Sequence, residues 1–248
     1  MIKIEKCKIY GWEESIRGMR NPLNSWDRSD SYYDFPEHPD IFKIGPNDLD
    51  LMTRLRNAGP SDRKYLRFIT VYVDITAPLY WWKEFKTYRA GRKFSDPESD
   101  VMNPDLFEMD IETNSCSTMH KIHAKEFTMD DFSHEHLFEE YPMSTDEDYA
   151  ADFDDVVSPL VDLQYDIWKL NLYRKMYLKT KNKVWWWQMI QRLPTSYNQK
   201  RTVMLNYEVL INMYKSRKNH KLDEWKDFCK WIETLPYSEL ITGVVKED

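Results

Sequence analysis

From Ser115 to His120 the chain reads Ser-Cys-Ser-Thr-Met-His, a run of hydroxyl, thiol and imidazole groups that invites nucleophilic chemistry. A cysteine attacks as its thiolate and needs a base or cation held beside it. No such base stands at a fixed spacing from Cys116, so a structural thiol is expected, and Ser117 reads equally well as a turn residue bonding nearby backbone. His120 and His123, three apart, fit one face of a helix. His134 and His136 flank Glu135 among Asp130, Asp131, Glu139 and Glu140. Imidazoles and carboxylates so spaced are metal-ligand types, but no zinc-binding pattern is present and such acidic loops are commonly solvated. No metal is expected. Asn206 sits at a strand-to-helix junction, where it suits an N-cap. Arg217, near the end of an amphipathic run, reads on its own as a helix arginine in a surface network.

The elements that would carry these residues follow from periodicity. IKIEKCKIY (2–10) alternates apolar and polar residues, the mark of a half-buried strand. WEESIRGMR follows as a short helix ended by Asn21-Pro22. The stretch to Pro46, rich in Asn, Asp, Ser and Pro, reads as a loop. Asn47 to Ala58 is helical, with Asn47 as its cap. Leu66 to Ile75 is a strand by its β-branched and aromatic content, and Pro78 stands where the next helix opens. Apolar spacing gives a long helix over Leu160 to Leu178, continued by Trp185 to Leu193. Arg201 to Leu205 reads as a strand, Tyr207 to Arg217 as an amphipathic helix and Asp223 to Thr234 as the last helix. The runs Trp81-Trp82 and Trp185-Trp186-Trp187 lie on helices, where adjacent residues point different ways and packing is their expected role.

Composition limits the partners. Acidic residues outnumber basic ones 42 to 35, a formal charge of −7, which disfavours duplex nucleic acid. Aromatics at 15% supply ample apolar surface for a core. Cys7, Cys116 and Cys229 have no paired spacing, so neither a disulfide framework nor a zinc knuckle is expected. No apolar run approaches the ~20 residues of a spanning helix, and the lysine-bearing, alternating first residues read as a strand rather than a secretion signal. A cytoplasmic location is the expectation.

Two segments resemble the flavin-dependent thymidylate synthases. PLYWWKEFKTYR (78–89) is similar to that family's strand-exit proline and the helix leading to its Arg-His-Arg triplet, which falls on Thr87, Tyr88 and Arg89. After an intervening stretch, NSCSTMH (114–120) matches the family's Asn and Ser at Asn114 and Ser117, while Ser115, Met119 and His120 replace its Glu, Arg and Tyr. Farther on, Leu193-Pro194, a strand, Asn206, Asn212 and Arg217 keep the family's order and spacing. His220 and Trp225 resemble its His-Ala-Gln-Trp ending, with His220 one residue early and the Gln missing.

The resemblance implies an α/β (α+β) chain, a single domain over 1–248 with a central mixed sheet flanked by helices and acidic insertions near 92–113 and 126–158. It implies a homotetramer binding FAD and a pyrimidine deoxynucleotide, with NADPH and methylenetetrahydrofolate as co-substrates. In the family, flavin hydride moves a carbon unit from the folate onto dUMP. On this reading Arg217 and Arg89 orient nucleotide and flavin, Asn206 and Asn212 cradle the flavin with Tyr88 and His220, Ser117 faces the pyrimidine, and Arg192 compensates for lost cations. Departures from the pattern weigh on the reaction. Only Arg89 keeps the triplet's cationic chemistry, and Glu84, standing where the family has Gln, would repel an anionic or carbonyl-rich ligand. These departures leave two outcomes open: methyl transfer or a variant reaction on a pyrimidine nucleotide, and a non-catalytic homologue that binds another ligand or a protein.

Overall fold

A computed structural model describes residues 2–88, 111–140 and 157–243, with nothing stated of the side chains of 38–40. Its described elements run β1 (Lys3–Tyr10), α1 (Trp12–Arg20), β2 (Tyr32–Asp34), β3 (His38–Lys43), α2 (Pro46–Ala58), β4 (Thr70–Pro78), α3 (Leu79–Phe85) and β5 (Glu112–Ser115). They continue with α4 (Pro159–Thr180), α5 (Lys183–Arg192), β6 (Asn198–Asn206), α6 (Tyr207–Arg217), α7 (Asp223–Glu233) and α8 (Glu239–Thr242). Four strands form a sheet in the order β1-β4-β6-β5, and β2 and β3 form a separate antiparallel pair in which Tyr32 faces Lys43 and Tyr33 faces Phe42. The chain is α/β, its sheet flanked by helices, as expected.

Two compact units divide the chain. One comprises Thr76–Lys83 and Ser115–Lys200. Its core gathers Ile122, Phe127 and Phe132 with Leu163, Ile167 and Leu170 of α4 and Met189 of α5. Ser158 caps α4 by accepting from the Val161 amide, and Asn182 caps α5 by accepting from the Val184 amide. These caps satisfy amides that the helices leave unpaired.

The other comprises Ile2–Ile75, Glu84–Asn114 and Arg201–Asp248. Its core is built on β4 (Val71, Val73, Ile75), β6 (Val203, Leu205) and α6, where Tyr207, Val209, Leu210, Ile211 and Met213 are all buried. A helix apolar on most of its circumference must be central, and α6 is. Glu208 in its first turn meets Arg63 in a buried, two-pronged ion pair of 2.8 and 2.9 Å. At the opposite end, Lys215 and Arg217 sit in the last turn, where the helix dipole favours cations.

Several expectations are revised. The loop from Asn21 to Pro46 contains the β2–β3 pair. Asn47 does not cap α2: Gly45 precedes Pro46 at the first helical turn, and the orphan amides of Asn47 and Asp48 donate instead to the Asp30 carboxylate at 2.9 and 3.1 Å. A Cβ at position 45 would lie 2.3 Å from that carboxyl, so glycine is what admits the distant cap. The strand read from Leu66 begins at Thr70, after a 3-10 turn over Arg63–Arg67. Helix α5 is a new helix with its own cap, and α8 was not anticipated. Part of each supposed acidic insertion is structured. Glu112–Ser115 forms β5, while Phe127 and Phe132 are buried and Phe132 bridges to Tyr197. Residues 92–110 and 141–156 lie outside the described residues.

Candidate functional site

Five side chains distant in sequence converge in the second unit: Glu84 on α3, Tyr88 just beyond it, Arg217 at the end of α6, His220 in the turn that follows, and Trp225 on α7. The buried Trp225 indole forms the floor. It stacks on Phe85 at 6.4 Å between centroids and meets Phe228 edge-on at 5.8 Å. Its Nε1 donates to Glu84 Oε2 at 2.6 Å. Arg217 Nη1 reaches the same oxygen at 3.2 Å, and its Nε donates to the Tyr88 hydroxyl. The guanidinium carbon lies 5.1 Å from the Tyr88 ring centroid and 4.8 Å from that of Trp225, so two aromatic faces hold the cation in place.

His220 completes the group. Its Nδ1 accepts from the Leu222 amide at 3.1 Å, which leaves Nε2 to carry the proton of the neutral ring, 3.8 Å from Glu84 Oε2. Side-chain exposures of 17% for Arg217, 22% for His220 and 38% for Glu84 leave the cluster open at the carboxylate end. Formal charges on Arg217 and Glu84 cancel. An incoming anion therefore competes with Glu84 for the guanidinium instead of meeting a bare cation. Cys229, elsewhere on α7, takes no nucleophilic role, because burial pushes its thiol up to about 12 and keeps it protonated.

Of the residues expected from sequence, Glu84, Tyr88, Arg217 and His220 thus meet. The repulsion expected of Glu84 takes the form of an internal ion pair. Trp225, noted only as part of a sequence ending, is the member that positions Glu84. Nothing local signals this, because the two residues lie 141 positions apart. Asn206 is the N-cap of α6, its side chain accepting from the Val209 amide at 3.0 Å. Asn212 is half-buried on the same helix. Replacing Asn206 with Ala is expected to lower stability by about 1 kcal/mol, with Asp nearly neutral, as read by urea unfolding.

The remaining expected residues stand elsewhere. Ser117, in the first unit, is exposed and its Oγ accepts from the Met119 amide at 3.3 Å, the turn role its neighbours suggest. Arg192 is engaged on α5 by Asp166 at 3.1 Å. Arg89 lies outside the described residues. His120 and His123 occupy turns and share no helix face. His123, pushed below its usual pKa by burial, packs on Tyr177 at 4.9 Å. Among the described residues no three His, Cys, Asp or Glu side chains gather as metal ligands. A cavity of about 800 Å3 opens in the second unit, lined in part by Tyr10, Trp12, Tyr33, Phe42, Trp231 and Tyr237. It touches none of the five clustered residues, and Lys43 on its wall is taken by Asp34 at 2.8 Å. The convergence of charged, hydrogen-bonding side chains, not cavity size, makes the five-residue cluster the candidate.

No protein-family model matches the chain, and no curated protein matches it in sequence. Similar solved structures do exist. Thymidylate synthase X (ThyX) from Helicobacter pylori, in a crystal structure with FAD and dUMP, aligns with TM-score 0.60 and 14% identity, covering 98% of this chain and 97% of that one. A second ThyX structure from the same organism, complexed with FAD and dUMP, gives 0.59 and 15%, covering 98% and 100%. The UMP/dUMP methylase PolB from Streptomyces cacaoi, bound with 5-Br UMP, gives 0.57 and 10%, covering 98% and 95%. The chain therefore has the fold of the flavin-dependent thymidylate synthases. No helix among the described residues is long and apolar enough to cross a membrane.

Proposed function

We propose that this chain binds a pyrimidine deoxynucleotide at the Glu84–Tyr88–Arg217–His220–Trp225 cluster, with FAD alongside, and acts as a thymidylate synthase-like methyltransferase or in a variant of that reaction. One observation carries the reading: Glu84 and Tyr88, two of the positions that resemble the family's nucleotide and flavin contacts, meet a third, Arg217, within hydrogen-bond and cation–π distance. Arg217 would orient the nucleotide with the N–H groups Glu84 and Tyr88 leave free. Asn212 and Arg89 would hold the flavin, and Ser117 would face the pyrimidine once the full site is assembled. The donor set fits a planar, carbonyl-rich ring, since the guanidinium and the carboxamide supply N–H donors and Tyr88 supplies an aromatic face. When bound, FAD supplies the hydride chemistry. NADPH and methylenetetrahydrofolate are the co-substrates this reading implies.

Assembly into a homotetramer is part of the proposal. Helix α4 leaves Val161, Tyr165, Trp168 and Leu172 exposed at spacings of four, three and four, a seam of the kind that pairs helices. Burying such a stripe against a second copy removes apolar area from water at roughly 25 cal/mol per Å2.

A specific observation also favours a non-catalytic homologue. The cations are already satisfied internally, Arg217 by Glu84 and Arg192 by Asp166, and Asn206 is spent on its cap. Native mass spectrometry of freshly purified protein separates the two readings. A yellow tetramer carrying FAD, with added dUMP or dCMP retained, is expected. Colourless protein that takes up no FAD and neither nucleotide would favour the non-catalytic homologue.

A further inference from the structure

The cavity of about 800 Å3 in the second unit lies apart from the five-residue cluster and has a composition of its own. Three stretches of chain bring rings to it. Tyr10 and Trp12 come from the end of β1 and the start of α1, Tyr33 and Phe42 from the β2–β3 pair, and Trp231 and Tyr237 from α7 and the turn that follows. Packing fixes these rings. Trp12 meets Tyr207 and Tyr237 edge-on, 5.3 Å from each, and Tyr33 meets Phe42 edge-on across the strand pair at 5.1 Å. The Tyr237 hydroxyl accepts from the Ile44 amide at 3.1 Å, which ties that turn to the residue after β3. A space of this size between packed aromatic side chains suits a small molecule.

Charge decides which kind. Glu13 and Glu14, in the first turn of α1, stand on the wall with Lys43. Lys43 is paired with Asp34 at 2.8 Å, so among the described lining residues the charge left over is negative. Aromatic faces carry the negative end of the ring quadrupole and add to that preference. An anion, a nucleotide included, is therefore disfavoured. A neutral polar ring would have to be read by hydrogen bonds, and hydroxyls on the wall are engaged: Tyr33 donates to Glu13 at 2.8 Å and Thr234 to the Trp231 carbonyl at 2.7 Å. An alkylated ammonium needs no hydrogen bond and is drawn to rings and carboxylates alike. We infer that this cavity is a second ligand site, for an organic cation whose alkylated ammonium sits among the rings, a class of ligand distinct from the nucleotide and flavin of the proposed reaction.

Choline and its uncharged isostere 3,3-dimethylbutan-1-ol, which carries carbon in place of the charged nitrogen, test this by calorimetric titration of the intact protein. Choline is expected to bind about fivefold or more tightly than the alcohol, the effect of a cation–π contact. Tyr33→Leu, at an exposed position of the strand pair, removes one ring and should weaken choline by a similar factor, while Tyr33→Phe should keep most of the affinity. Glu13→Gln with Glu14→Gln should weaken choline by about threefold and leave the alcohol unmoved. None of these residues belongs to the nucleotide cluster, so uptake of FAD and nucleotide should stay as in the wild type whichever way choline behaves. Equal affinities for choline and the alcohol, no saturable choline binding, or choline binding unmoved in Tyr33→Leu overturns the inference. Should Tyr33→Leu not fold, the Glu13 and Glu14 variant decides in its place, and choline affinity unmoved there overturns it.

Discussion

Asp48→Ala is expected to lower the free energy of unfolding by about 3–5 kcal/mol, the range for breaking a buried ion pair from one side. The Asp48 side chain is fully buried and Arg20 nearly so. Arg20 Nε and Nη2 meet Oδ1 at 2.7 and 2.6 Å. Oδ2 accepts from Ser29 Oγ, the Asp30 and Ser31 amides, and Ser31 Oγ at 2.6 to 3.2 Å. Arg20 in turn donates to the Ser25 and Arg28 carbonyls at 3.1 Å each. One carboxylate therefore ties α1 to α2 and fixes the segment between Ser25 and Ser31. Alanine would leave a buried cation and four donors without their acceptor.

The same network sets an acid limit. Burial alone would raise the Asp48 pKa, but hydrogen bonds from Ser31 and Ser29 and the Arg20 guanidinium outweigh it and hold the carboxyl below the usual carboxylate range. A carboxyl depressed in the folded state stabilises above its unfolded pKa, about 3.9, and loses that contribution as pH falls through the folded value. Urea unfolding at neutral pH and in strong acid should show the wild type converging on Asp48→Ala as pH drops below about 4. A difference between the two proteins that stays constant across that range would show that the carboxylate's charge is not what the network uses.

This network and the functional cluster mark where reading the sequence stops being sufficient. Helix α6 is legible to the residue because its signals are local: a capping Asn206, an apolar run and basic residues in the last turn. Strand β1 is legible from its alternation. Strand β5 is not, because Glu-Thr-Asn-Ser has neither β-branched density nor alternation, and its pairing comes from neighbouring strand β6. The β2–β3 pair is hidden for a similar reason, in a segment whose prolines and aspartates signal turns. The cap of α2 could not be read either. Asp30 approaches from 17 residues upstream through space that Gly45 leaves open. At the site, family resemblance brought Glu84, Tyr88, Arg217 and His220 together, a grouping that periodicity could not have made. It assigned Glu84 the part of repelling a ligand, whereas its carboxylate already occupies the arginine. Partner choice across 133 residues, from 84 to 217, is a tertiary fact. It depends on Trp225 being buried at a particular place to hold Oε2.

Arg217→Ala should therefore do more than delete one contact. Truncating one partner of a buried hydrogen-bonded charge pair costs about 2–5 kcal/mol, much of it from the charge left behind; with Glu84 38% exposed, the loss here is expected at the lower end of that range or below it, about 30-fold in affinity at most. Here that charge is Glu84, which in the variant faces an incoming nucleotide with no cation beside it. Arg217→Lys keeps the charge but not the fork that reaches Tyr88 and Glu84 together, so an intermediate loss is expected. The double variant E84Q/R217A separates the two causes. If Arg217 acts by contacting the nucleotide and also by neutralising Glu84, E84Q should improve binding in the Arg217→Ala background by more than it does in the wild type, the non-additivity that coupled neighbours produce. Calorimetry with dUMP reads the affinities, and urea unfolding reports separately whether the α6 terminus survives. An E84Q effect that is the same in the wild type and in R217A would mean that Arg217 does not act by neutralising Glu84 and works by contact alone.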